Sequence, residues 1–427
     1  MQREELLAPS SAAVINSGCS HVVPSRKLRI ALYSHDTMGI GHMRRNALIA
    51  GAIAGSPLSA AILLVCGARE ACTFPLPLGT DCLTLPSYYK DADGYYRSRT
   101  LDVSVEQLVA VRAQTIAAAL GSFEPDVVIV DKVPRGALGE LEPALKLLQA
   151  EGHTRCILGL RDILDEPDKV RRDWGDGANV DAILDYYDAV WIYGDPVVYD
   201  QVREYEYPAS VAAKMRYTGY LTRPLRTDFL EIDDAEFSPF AVGPRGRIFL
   251  CMVGGGQDGY ALTEAFAQVD FPPGTTGVIV TGPFVPPDVH HRVRCLAAGK
   301  PQLRVLKFVA NPDLLLSLAD RVVAMGGYNT ICEVLSLGKR ALIVPRIKPR
   351  REQWIRAERL QNMGLLDVLH PDAVNPRTLT EWLTCDHEPL VRVRDRINFN
   401  GAENVPRFLE ELLAEPLRYA QTADSKT

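Results

Sequence analysis

The chain has 427 residues, 47% of them hydrophobic and 23% charged, with a formal net charge of −6. This is a globular composition, and the length suggests two domains rather than one. The negative charge argues against a nucleic-acid-binding protein, which usually presents a basic face.

Residues 1–26 carry acids near the start and lack an unbroken apolar core. They do not fit a signal peptide and read as a flexible leader. No apolar run reaches the roughly 18–20 residues of a membrane-spanning helix, so a cytoplasmic protein is expected. A peripheral contact with a membrane surface is compatible with this composition. Nine cysteines show no C-x-x-C pair and no metal-ligand rhythm, and several lie inside apolar runs. They read as small buried hydrophobes in a reducing compartment.

Along the chain, short apolar runs alternate with helical stretches, the sign of an α/β fold with parallel sheets. The first run is Leu28–Tyr33, then a loop from Ser34 to Gly41 and a helix from His42 to about Ala54. A second strand is predicted over Ala60–Cys66. Residues 70–100, rich in Pro, Gly, Asp and Tyr, read as a long excursion. A helix is expected at about 103–120. The run from Pro125 to Asp131 is a strand with an acid at its carboxyl end, and further strands fit Cys156–Leu160 and Ala189–Tyr193. The polar stretch after Pro224 is an interdomain linker, placed at 226–246. The rhythm then restarts, with strands predicted at Ile248–Val253, Gly277–Thr281, Leu303–Val309, Arg321–Ala324 and Ala341–Pro345. Helices are predicted at 328–337, 352–363 and 402–415. The domains are therefore 27–225 and 247–415, with a tail over 416–427.

In open α/β sheets ligands bind at the carboxyl ends of strands, so the turns carry the candidate sites. Gly39-Ile40-Gly41-His42 has two glycines that allow close backbone approach. A histidine opening the helix can accept a proton from a substrate hydroxyl; the same residues would also suit a dinucleotide turn or an ordinary tight turn. The full G-x-G-x-x-G fingerprint fails at Arg44, and the second strand ends in Cys66-Gly67 with no ribose-binding acid. Asp131 needs a partner if buried. It could orient an imidazole or cap a helix. Met325-Gly326-Gly327-Tyr328-Asn329-Thr330 joins a strand to a helix, where free N–H groups and the positive dipole end would meet a phosphate. Glu333, one turn on, suits a ribose. Gly254–Gly259 is a second glycine-rich turn. Pro345–Gln353 is strongly basic: Gln353 could bond sugar hydroxyls and its arginines a phosphate. Asp91 and Asp93 spell a D-x-D, but Asp93-Gly94 is a turn signal, and no metal site is assigned.

Together these motifs resemble the GT-B glycosyltransferases, in particular the MurG-type and the plant and antibiotic UDP-sugar transferases. The resemblance covers about 28–415. It implies two Rossmann-like, doubly wound domains facing a central cleft. It implies His42 as general base with Asp131 behind it, and Gly39 and Gly41 in the acceptor loop. Gly255, Gly256, Gln257, Gly326, Gly327, Asn329 and Thr330 would face the donor phosphates. Phe308, Val309 and Glu333 would hold base and ribose, and Arg351 and Gln353 the donor sugar. The implied reaction moves a sugar from a nucleotide-diphosphate donor, a UDP-sugar by this likeness, to an acceptor hydroxyl. It proceeds with inversion, without metal, and with the nucleotide-sugar as co-substrate rather than a cofactor. The competing readings are a nucleotide-sugar 2-epimerase of the same architecture, a non-catalytic nucleotide-sugar-binding subunit, and a dehydrogenase.

Overall fold

The computed structural model describes residues 26–36, 41–67, 76–90, 95–175, 177–222, 246–309, 312–386 and 392–417. Gly39, Asp91, Asp93, nearly all of the leader and linker, and most of the tail lie outside the described residues.

The first half forms a seven-stranded parallel sheet. Its strands are β1 (Leu28–Ser34), β2 (Ala60–Cys66), β3 (Thr80–Thr84), β6 (Val127–Asp131), β7 (Arg155–Arg161), β8 (Ala189–Tyr193) and β9 (Met215–Tyr217), in the order β3-β2-β1-β6-β7-β8-β9. Strands β4 (Tyr88–Lys90) and β5 (Tyr96–Ser98) make a separate antiparallel hairpin. The region read as an excursion thus contains a sheet strand as well as a hairpin. The inner strands are apolar on both faces, as strands covered by helices on both sides must be. Ile30 and Leu32 enter one core, and Ala31 and Tyr33 the other.

The second sheet has β10 (Arg247–Met252), β11 (Thr275–Val280), β12 (Leu303–Leu306), β13 (Arg321–Ala324), β14 (Ala341–Ile343) and β15 (Asp367–Val368), in the order β12-β11-β10-β13-β14-β15. Leu250 and Met252 share a continuous core with residues of the first half, while Phe249 and Cys251 face a separate core on the far side.

The strand order fixes where ligands can gather. In each sheet the chain winds to one side of its first strand and then crosses to the other. The crevice opens where the order reverses, between β1 and β6 in the first sheet and between β10 and β13 in the second.

The last helix, Gly401–Ala414, returns to the first sheet. Its Phe408 packs edge-on against Trp191 of β8, and Asn404 Nδ2 donates to Thr218 O at 2.8 Å. Between the halves, Arg356 forms a fully buried pair with Asp162, with nitrogen–oxygen distances of 2.5 and 2.7 Å, and also donates to Gly326 O at 2.9 Å. A charge pair removed from water holds only if its geometry and extra hydrogen bonds are good, and here both partners have them.

Candidate active site between the two switch points

Because β1 and β6 are neighbours, the helix after β1 and the end of β6 meet. His42, in the helix Gly41–Ala54, places Nδ1 2.5 Å from Asp131 Oδ2. The Asp131 side chain is 1% exposed and that of His42 14%. Asp131 is also gripped by Arg45, whose guanidinium nitrogens lie 2.6 to 3.1 Å from its oxygens. Burial by itself would raise the Asp131 carboxyl, but Arg45 and then His42 overcome this and hold it well below the usual carboxylate range. Burial pushes the His42 imidazole down to about 4, against the pull of Asp131. The ring is therefore neutral at pH 7. An ionised carboxylate 2.5 Å from Nδ1 requires the proton on that nitrogen, which leaves the Nε2 lone pair as the basic site. Among the described residues Nε2 has no hydrogen-bond partner.

Arg45 was not among the residues expected from sequence. A signal for it existed, since three residues after His42 a helix returns to the same face. Asp36 was also missed. It is buried with φ 42° and accepts from Ser34 Oγ, Met43 N and Gly67 N, joining β1, the His42 helix and the end of β2. His35 lies beside the site, its ring centroid 4.8 Å from that of His42.

The second switch point faces the first. The helix Tyr328–Ser336 starts at Gly327 with no side-chain cap, so its first N–H groups and positive dipole end open toward the cleft. Asn329 Nδ2 donates to Gly41 O at 3.2 Å, so the two helix starts touch across the halves. Arg44 donates to Glu333 Oε1 at 2.8 Å. Glu333 thus lies at the same cleft, engaged by the residue that breaks the dinucleotide fingerprint. Thr330 is buried in the first turn of this helix.

Gly254 and Gly256 have φ of 66° and 82°. A Cβ on Gly256 would come 2.3 Å from Thr281 O, and Phe284 N donates to Gly255 O at 3.0 Å. The glycine at 256 is thus required by the packing of this turn on the turn after β11. Gln257 is partly buried in the same turn. Gly326 is closely covered by Gln353, whose Oε1 accepts from Arg346 N at 3.1 Å. Phe308 is partly buried and Val309 lies in the shared core. Arg351 departs from the others. Its side chain pairs with Glu166 at 2.8 Å and its backbone N–H donates to Asp165, so it is tied to the first half, where Glu166 neutralises its charge.

Residues 249–391 match the glycosyltransferase family 28 C-terminal domain. Over 200 residues the chain is 26% identical to a UDP-N-acetylglucosamine–N-acetylmuramyl-(pentapeptide) pyrophosphoryl-undecaprenol N-acetylglucosamine transferase of Salmonella paratyphi B. The match takes in 47% of this chain and 55% of the relative, so the chain spans about half the length of that protein. Among solved structures it is similar to Acinetobacter baumannii MurG, with a TM-score of 0.53 and 14% identity over 90% of this chain and 99% of that one. It is similar also to the UDP-GlcNAc 2-epimerase of Neisseria meningitidis bound to UDP-GlcNAc, with a TM-score of 0.56 and 14% identity over 91% and 99%. At such identities the structural likeness speaks for the fold. Residues 249–391 are thus similar to the glycosyltransferase family 28 C-terminal domain, and the chain as a whole has the two-sheet α/β architecture of the GT-B structures.

Proposed function

We propose that this protein is a glycosyltransferase that moves a sugar from a UDP-sugar to an acceptor hydroxyl, with inversion at the anomeric carbon. The observation that carries this reading is the His42–Asp131 contact at 2.5 Å, placed beside the uncapped start of the helix Tyr328–Ser336. Nε2 of neutral His42 takes the acceptor proton, and Asp131 holds the tautomer and steadies the imidazolium that forms. Arg45 is a positioning residue that keeps Asp131 ionised and fixed. The acceptor oxygen attacks from the first half. The leaving diphosphate is met by backbone N–H groups near Gly255–Gly256 and Gly327–Thr330, a preorganised electrostatic site. This scheme uses no metal and no cofactor beyond the nucleotide-sugar. Glu333 binds the ribose hydroxyls after exchanging its contact with Arg44, and Gln353 lies close enough to Gly326 to reach the donor sugar. UDP as the nucleotide is supported by the likeness to the Salmonella relative, whose name gives a UDP-sugar. The chain works in the cytoplasm, where nucleotide-sugars are made.

Incubation with UDP-N-acetylglucosamine alone, followed by NMR, tests the reading. Slow release of UDP to water, lost in His42→Ala, is expected. Formation of a 2-epimer without UDP release would identify an epimerase instead.

A further inference from the structure

Asp131 is opposite Gly159 in the β6–β7 ladder. Lys132 after β6 and Arg161 at the end of β7 therefore emerge side by side at the carboxyl edge of the first sheet. Lys132 has φ 72°. A non-glycine residue held in the left-handed region is strained, and such residues concentrate at functional sites. Among the described residues its ammonium group has no ion pair. Arg161 is 86% buried by side chain and, among the described residues, pairs with Glu352 Oε1 at 3.9 Å while its Nε has no hydrogen-bond partner. That Glu352 oxygen already accepts from Arg346 at 2.8 Å. The other, Oε2, is buried without a hydrogen-bond partner among the described residues, on a side chain 2% exposed. Arg350, in the loop after β14, likewise has no ion pair among the described residues.

These groups feel one another. Burial, then the charges of Arg161 and Arg350, push the Lys132 amine well below its usual range, with Glu352 and Asp131 offsetting part of this. Burial also takes Arg161 down to about 10, with Glu352 offsetting part of this and Arg45, Arg356 and Arg350 adding to it. Lys90 of the hairpin is lowered by burial and then by Arg350 and Lys169. Lys132, Arg161, Arg346 and Arg350 share Glu352 and the already paired Asp131, so positive charge is in excess at this edge and an anion would relieve it.

Lys132 and Arg161 come from the first half, behind the Asp131 carboxylate, and not from the turns after β10 and β13. We propose that Lys132, Arg161 and Arg350 form an oxyanion site for the acceptor, which is a hydroxylated compound carrying a phosphate or a carboxylate. The orphaned Glu352 Oε2 accepts from one of its hydroxyls. This rests on the transferase reading for the word acceptor, but the anion site itself stands without it.

The test is calorimetric titration of the full chain at fixed ionic strength, with and without saturating UDP. The probes are glucose 6-phosphate, glucuronate and neutral glucose. Binding of a charged probe but not of glucose is expected, and the stronger of the two identifies phosphate or carboxylate. Lys132→Met and Arg350→Gln should each weaken that binding at least tenfold and leave UDP affinity unchanged; Glu333→Ala should do the reverse. Lys132→Met should also raise the melting temperature, because it removes an unpaired cation. Equal binding of charged probe and glucose, or a charged probe displaced by UDP, would overturn the proposal; the latter would assign these cations to the donor. If UDP itself fails to bind while the charged probe binds, the transferase reading falls and the anion site remains.

Discussion

At the level of single residues, catalysis by His42 depends on a neutral imidazole. With the His42 group at about 4, the acidic limb of the pH–rate profile should fall near pH 4 instead of near the ordinary histidine value of about 6.5. Protonation from the acid side removes the Nε2 lone pair, so activity is lost as pH drops through that value. Stability follows the same sign. The folded pKa lies below the unfolded one, so the unfolded chain binds more protons between them, and stability declines as pH falls from about 6.5 toward 4. His42→Ala should lower kcat by roughly 10²- to 10⁴-fold, the usual worth of a positioned general base, and leave UDP binding intact. Arg45→Met should shift the acidic limb and lower kcat without altering donor KM. A change confined to KM would contradict a positioning role. The histidine and the aspartate were legible in the sequence, because one opens a helix after a strand and the other ends an apolar run. Arg45 sat in the same helical turn and could have been read from its spacing. The Arg44–Glu333 contact could not, since it joins residues 289 positions apart and depends on how the two halves meet.

At the scale of elements, most strands follow from runs of branched apolar residues. Ala60–Cys66, Ala189–Tyr193 and Arg321–Ala324 are bounded as their composition predicts. Five were not visible: the two short strands of the β4–β5 hairpin and three strands at sheet edges. Strand β3 reads Thr-Asp-Cys-Leu-Thr, an edge strand whose exposed positions are polar, and β9 and β15 are only three and two residues long. Sheet edges need little apolar surface, so they leave a weak signal. The glycine turn after β10 shows a second limit. Its glycines suggested room for a phosphate, and the structure adds a packing reason for Gly256 that the sequence did not show. Gly256→Ala should therefore destabilise the protein, through both the positive φ and the clash with Thr281 O, by roughly 1–3 kcal/mol in urea unfolding. An unchanged urea midpoint would contradict the packing role.

At the scale of the whole molecule, the halves are joined by more than a linker. Arg356→Leu should strand Asp162 in the interface and reduce stability by about 3–5 kcal/mol, read as a lower urea midpoint. The C-terminal helix belongs by packing with the first sheet, although it follows the second in sequence. Its Val405, Phe408, Leu409 and Leu412 are buried, each worth roughly 1.5–3 kcal/mol. A chain ending at residue 399 should fail to fold cooperatively, because that loss is comparable with the whole stability of a domain, about 5–15 kcal/mol.

The central claim is that the cleft between the two switch points binds a nucleotide-sugar through the start of the helix Tyr328–Ser336 and Glu333. The most direct measurement is a thermal-shift panel with UDP, GDP, TDP, ADP and their sugars on the wild type and on Glu333→Ala. A ligand at 100 times its dissociation constant adds about 2.7 kcal/mol of stability. A clear shift with UDP and UDP-sugars is expected in the wild type, lost in Glu333→Ala. No shift with any nucleotide, or an equal shift in both proteins, would contradict it.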